Sequence, residues 1–258
     1  AATITASANG KSDECKITVS GEEYGLYVAS TQVTSRNRDD ILGDGKFSFD
    51  GLRTLTINGD YTVSNCSNFV RNTDIDDLNI EVAQACTISQ DSESYSTLFD
   101  IRKNTIIRGE QLTVNGNGVA FGTQGGITLT LDSANLIVSA IMPFKGSNLS
   151  SDSLSIINSR VEVHASGSAA VFNFEGGISL TDCYIQTPAG GEVVDAAIED
   201  GNGNHVRDMV IVPLLMLYDD SDNTAVLETY VASGKTTHVQ LVNRTFYKDN
   251  SWTTLCLP

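Results

Sequence analysis

The stretch Leu129-Thr-Leu-Asp-Ser-Ala-Asn-Leu-Ile-Val-Ser-Ala-Ile-Met-Pro-Phe144 decides the fold. It holds two short strand signals, Leu129-Thr-Leu131 and Leu136-Ile-Val138, and then Phe144. Neither triplet is long enough to be stable alone. Both recur along the chain at a nearly fixed interval, the signature of a repeat architecture.

The first triplet has equivalents in Leu55-Thr-Ile57, Leu78-Asn-Ile80, Leu154-Ser-Ile156 and Ile178-Ser-Leu180, with Ile107 supplying the missing member. Their last residues advance by 23, 27, 24, 25 and 24. The second has equivalents in Tyr61-Thr-Val63, Cys86-Thr-Ile88, Leu112-Thr-Val114, Val161-Glu-Val163 and Cys183-Tyr-Ile185, advancing by 25, 26, 24, 25 and 22. Phe144 belongs to a looser series of Phe69, Phe99, Phe121 and Phe172, expected to end near Val194. Three matched series predict an all-β fold, a right-handed single-stranded parallel β-helix of about six coils and three sheets. At about 4.8 Å per coil it would be about 30 Å long. Glycine and asparagine turns fit between the triplets, as at Asn58-Gly59, Gly125-Gly126 and Gly176-Gly177.

On this reading 51–213 is the β-helix. Residues 1–50 form an N-terminal β cap with a partial first coil, and Lys16–Val19, Gly25–Val28 and Lys46–Phe49 are its strands. An open solenoid end exposes sheet edges and core, so a cap is required. Residues 214–258 make a small C-terminal β-hairpin appendage, expected to be a truncated part of a following module. Its strands are Val239–Val242, Arg244–Tyr247 and Trp252–Leu255.

Composition narrows the function. Sixteen basic residues face thirty-two acidic ones, a formal charge of −16. Nucleic acid is a poor partner, because its binding depends on cations at phosphates. No run of about 18 apolar residues occurs, so membrane insertion by a helix is not expected. The start Ala1-Ala2-Thr3-Ile4 has no signal-peptide pattern, which leaves either no leader or a mature form. Five widely spaced cysteines give no zinc motif. Cys86 and Cys183 fall at inward positions and are expected as reduced, buried side chains, and Cys66 lies too far from Cys86 in register for a disulfide.

Two stretches carry a resemblance. Leu26–Gly45, continuing to Phe49 and Leu55-Thr-Ile57, and Arg244–Pro258 resemble segments of large modular secreted or surface proteins of gut Bacteroidetes, and the first also resembles surface proteins of gut Firmicutes. Relatives of the solenoid part are described as carbohydrate-binding-like or pectate-lyase-like β-helices. The resemblance implies secretion or a bacterial cell surface, and it transfers no catalytic residue.

β-Helices can host polysaccharide lyases and hydrolases, whose chemistry needs carboxylates converging on one outward face. The middle residues of the triplets are the outward ones. They read Thr56, Asn79, Ile106, Thr130, Ser155 and Ser179 on the first sheet. On the second they read Thr62, Thr87, Thr113, Ile137, Glu162 and Tyr184. Neither row holds a carboxylate cluster, and Thr62, Thr87 and Thr113 suggest a hydroxyl ladder. The mixed patch is Glu162, His164 and Tyr184, with Tyr184 expected to stack on Glu162 from the next coil. These three are the candidate ligand-binding residues. No catalytic residue is assigned, and no nucleophile elbow, Walker A or dinucleotide fingerprint occurs. No cofactor is required; Ca²⁺ remains an option at Asp39/Asp40/Asp44, at Asp74/Asp76/Asp77 or in Asp200-Gly-Asn-Gly-Asn204. Tyr95, Tyr184 and Trp252 are the aromatic residues available to a sugar ring.

The expectation is therefore a noncatalytic extracellular or cell-surface module that binds glycan or a surface protein, or serves as a rigid spacer. The alternatives are a β-helix polysaccharide lyase or glycoside hydrolase centred on Glu162, His164 and Tyr184, and a purely structural repeat.

Overall fold

A computed structural model describes residues 2–8, 11–17, 21–64, 68–91, 95–149, 151–219, 221–233 and 238–243. It is a parallel β-solenoid of about 7 turns, with 54% of the chain in strands and 4% in helix. The first sheet stacks Thr54–Ile57, Leu78–Val82, Thr105–Gly109, Thr128–Asp132, Ser153–Ile157 and Gly177–Thr181, all parallel. The second stacks Tyr61–Val63, Cys86–Gln90, Gln111–Asn115, Asn135–Ala140 and Arg160–Ala165. The third stacks Val70–Asn72, Thr97–Ile101, Val119–Thr123, Met142–Lys145 and Val171–Phe172.

Alternation explains the stacking. Leu129, Leu131, Leu154 and Ile156 are wholly buried, while Thr130 and Ser155 between them face outward. Each such side chain contributes about 1.5–3 kcal/mol when removed from water. That gain exists only because the rungs above and below supply the other walls. The aromatic column is real over four members. Phe69, Phe99, Phe121 and Phe144 follow one another at centroid distances of 5.6, 4.6 and 5.1 Å. Phe172 does not join them. Val171 takes the rung next to Phe144, Phe172 is half-buried, and Phe174 is the buried ring at that end. The series also does not end at Val194, which lies in the separate antiparallel pair Glu192–Val194 and Ala197–Glu199.

Register follows the triplets through the middle coils and slips in the first. Ile57 pairs with Val82 rather than Ile80, and Val63 pairs with Gln90 rather than Ile88. A shift of two residues keeps every side chain on its face, so the alternation cannot detect it. The expected Thr ladder is shortened accordingly. Thr87 lies beside Thr113, but Thr62 lies beside Ser89.

The N-terminal cap closes two sheets with antiparallel strands. Glu23–Val28 pairs with Val70–Asn72 and with Thr31–Thr34, and Phe47–Phe49 pairs with Thr54–Ile57. The Asp50 carboxylate fixes the turn between the last two by accepting the N–H groups of Leu52, Arg53 and Thr54 at 2.7, 2.8 and 3.0 Å. Partial burial raises its pKa, and these hydrogen bonds outweigh that effect and leave it below the usual value. Ahead of the cap, Ala2–Ala8 and Lys11–Ile17 form an antiparallel hairpin. The expected strand Lys16–Val19 thus begins earlier and its last residues lie outside the described ones.

The C-terminal end departs most from the expected pattern. The 11-residue strand Asp208–Tyr218 returns antiparallel between Arg160–Ala165 and Cys183–Thr187. It passes through Pro213 and then pairs in parallel with His238–Val242. Met209 and Ile211 are buried and take the inward places of a rung. Cys183-Tyr-Ile185 therefore does not stack on Val161-Glu-Val163. Cys86 is buried as expected, and burial together with Asp60 pushes its thiol up to about 11. Cys183 is only half-buried, with its Sγ accepting the Ser159 N–H at 3.4 Å. A helix, Thr224–Ser233, was not expected at all; Asn223 before it is buried and donates to the Tyr218 and Ser221 carbonyls at 2.8 and 3.0 Å. Among the described residues no helix is long and apolar enough to cross a membrane. The strands expected at Arg244–Tyr247 and Trp252–Leu255 lie outside the described residues.

Candidate functional site

The strand Arg160–Ala165 buries Val161 and Val163 and turns Arg160, Glu162 and His164 outward. The returning strand places Asp208 directly opposite His164. A chain of contacts results. Arg160 Nη2 donates to Glu162 Oε2 at 2.6 Å, Glu162 Oε1 lies 3.3 Å from His164 Nε2, and His164 Nδ1 lies 3.0 Å from Asp208 Oδ1. With a carboxylate at each ring nitrogen, only the imidazolium can donate to both. The Asp208 hydrogen bond is the main cause of the raised His164 pKa; partial burial opposes it and Glu162 reinforces it.

Tyr184 is not part of this group. It sits opposite Val212, while Glu162 sits opposite Val210, so the returning strand lies between them. Two inter-strand spacings put their strands about 10 Å apart. The structure thus brings Glu162 and His164 together, adds Arg160 and Asp208, and removes Tyr184. Asp208 was hidden from sequence reasoning because its strand arrives from more than forty residues downstream.

His164 also borders an open groove of about 450 Å³ across the second sheet, with Gln90, Asn115, Asn117, Ser139 and Ser166 among its walls. Its polar row follows the register Asn115, Ser139, His164. Among the described residues no carboxylate lines it.

A second groove, of about 270 Å³, lies on the third sheet. There the alternation breaks, since Leu98-Phe99, Ala120-Phe121 and Pro143-Phe144 are each buried in succession. The residue after each stacked Phe then faces out, giving the in-register row Asp100, Gly122, Lys145. Gly122 allows the Thr97 side chain to lie close over the backbone there. A Cβ there would stand 2.8 Å from Thr97 Cγ2. Tyr95 forms a wall with 56% of its surface exposed, and its hydroxyl donates to Met142 Sδ at 3.6 Å.

The groove is held by two carboxylates whose oxygens are already engaged. Asp100 accepts from Arg102 Nη2 at 2.9 Å and Gln124 Nε2 at 3.1 Å, and lies 3.5 Å from Arg71 Nε. Asp152 is wholly buried and accepts from Gly126 N, Ile127 N, Thr123 Oγ1 and Ser147 N at 2.7–3.1 Å. It ties the wall segment that carries Ser147 and Asn148 to the sheet. The third-sheet row escapes the middle-residue rule that gives the outward rows of the first two sheets, because two successive residues, the second a Phe, are buried on each strand that carries it. The signal was present in the residue that follows each phenylalanine.

The possible calcium positions are engaged in other ways. Asp39 pairs with Arg38, Asp44 with Lys46, Asp76 with Lys103 and Asp77 with Arg53, at 3.5–3.8 Å. Asp200 Oδ1 accepts the N–H groups of Asn202 and Asn204 at 2.9 Å, and such bonds lower its pKa. Among the described residues no group of three or more His, Cys, Asp or Glu is disposed to hold a metal ion. No protein-family model, curated protein or solved structure matches the chain.

Proposed function

We propose that the chain is a noncatalytic extracellular or cell-surface module that binds glycan through the third-sheet groove, with the solenoid as its rigid carrier. The observation that carries this reading is the exposed Tyr95 ring beside a small polar groove whose walls are fixed by Asp100 and Asp152. An aromatic face flanked by amides and hydroxyls suits a sugar ring, which presents C–H groups on its faces and hydroxyls at its edge. Pre-organised walls reduce the ordering cost of binding. The likeness of Leu26–Gly45 and Arg244–Pro258 to modular surface proteins of gut bacteria supports the same reading. A glycan array followed by calorimetry tests it. Tyr95→Ala should weaken binding about tenfold; absence of binding to every plant and host glycan would leave the spacer reading in its place.

A second reading, a polysaccharide lyase or hydrolase, is favoured by His164 at the edge of the larger groove with carboxylates on both ring nitrogens. Polysaccharide cleavage by the wild type that disappears in a Glu162→Ala, His164→Ala double variant would establish it over the binding module.

A further inference from the structure

The molecule is acidic overall, yet the third-sheet groove is lined by a lysine, Lys145, as well as by Asp100. Two guanidinium groups, Arg71 and Arg102, share the single carboxylate of Asp100. Among the described residues no carboxylate lies within ion-pair distance of Lys145, although eight other lysines and arginines have one. Lys145 is two strands from Asp100 in the row, about 10 Å between backbones, with the side-chain-free Gly122 between them. Asp152, the other nearby carboxylate, is wholly buried and saturated by four donors. An ammonium group thus lines a pre-formed groove without a carboxylate in ion-pair distance among the described residues, three residues along its strand from the Met142 that receives Tyr95.

We infer that the groove selects an anionic saccharide, with a sugar ring against Tyr95 and the carboxylate or sulfate of that sugar on the Lys145 ammonium. This rests on the glycan-binding reading and adds the class of glycan to it. A charge-assisted bond to a compact ammonium is the distinguishing element, because the rest of the groove serves neutral sugars equally. The general −16 charge repels anions at long range, and moderate salt screens that repulsion more than it screens the direct contact.

Calorimetry with the full chain would use an oligogalacturonate, a sulfated oligosaccharide, a neutral galactan oligosaccharide and inorganic sulfate. At least one anionic oligosaccharide should bind about tenfold more tightly than the neutral one. Lys145→Gln should abolish the preference, bringing the anionic oligosaccharide down to the level of the neutral one, and Tyr95→Ala should weaken both. A preference for oligogalacturonate identifies a carboxylate and a preference for the sulfated sugar identifies a sulfate; either supports the inference. Equal binding of neutral and anionic sugars overturns it while glycan binding stands. So does an anionic preference that survives Lys145→Gln, or one matched by inorganic sulfate alone. Binding of no saccharide overturns both.

Discussion

The middle coils and the C-terminal end of this solenoid are made of the same kind of sequence and assembled differently. Between Leu78 and Ala165 each rung lies on the next in parallel, residue for residue, as in Leu131 beside Ile156 and Val138 beside Val163. Beyond Ala165 the second sheet is continued by Asp208–Tyr218 running the other way, and Cys183–Thr187 is displaced outward by one place. An alternating strand fills a rung in either direction if its inward residues match. Periodicity therefore fixes what occupies the core more firmly than it fixes which segment occupies each place.

The largest expected effect lies in the middle. Phe121 is buried between Phe99 and Phe144, and Phe121→Ala should cost about 3–5 kcal/mol in denaturant unfolding. A cost under 1 kcal/mol would mean that the aromatic column is not packed as described. Ile211→Ala sharpens the contrast. Ile211 is wholly buried in the returning strand, and its truncation should cost about 2–3 kcal/mol. Loss of hydrogen-exchange protection should then concentrate in Arg160–Ala165, Cys183–Thr187 and Asp208–Tyr218, with the middle coils protected. Uniform loss would show that the end is not a separately yielding region.

Much of the fold was legible because each of three series repeated five or six times. The reading failed where repetition stopped. The first coil slipped by two residues, which alternation cannot sense. Phe172 was drawn into the aromatic series by its type, although Val171 holds the place. The helix Thr224–Ser233 presents no apolar stripe, with Val226 and Val231 exposed, so no period revealed it. At the candidate site, Glu162 and His164 were legible as outward neighbours two apart on one strand. Tyr184 was misplaced because its triplet fits the second series, and only the antiparallel insertion separates it from Glu162. Asp208 and the Asp100–Gly122–Lys145 row depend on pairings that local pattern does not encode.

The smallest effect concerns the seam between the two regions. His164 has a raised pKa in the folded state and is half-exposed, so its link to Asp208 and Glu162 should add modest stability. That contribution is present in full below its unfolded pKa of about 6.5. It is lost as pH rises through the higher folded value. The Tm of the wild type should fall slightly more than that of His164→Gln between about pH 6 and 9. Parallel curves for the two proteins would remove the ion-pair seam from the account.

Paired cysteines test the winding and its reversal together. Thr130→Cys with Ser155→Cys, and Glu162→Cys with Val210→Cys, each join direct neighbours and should form disulfides under mild oxidation, visible by mass spectrometry of peptides. Glu162→Cys with Tyr184→Cys should stay reduced. Ready crosslinking of that last pair, with none between residues 162 and 210, would mean that the coils continue in parallel and that the returning strand is misplaced.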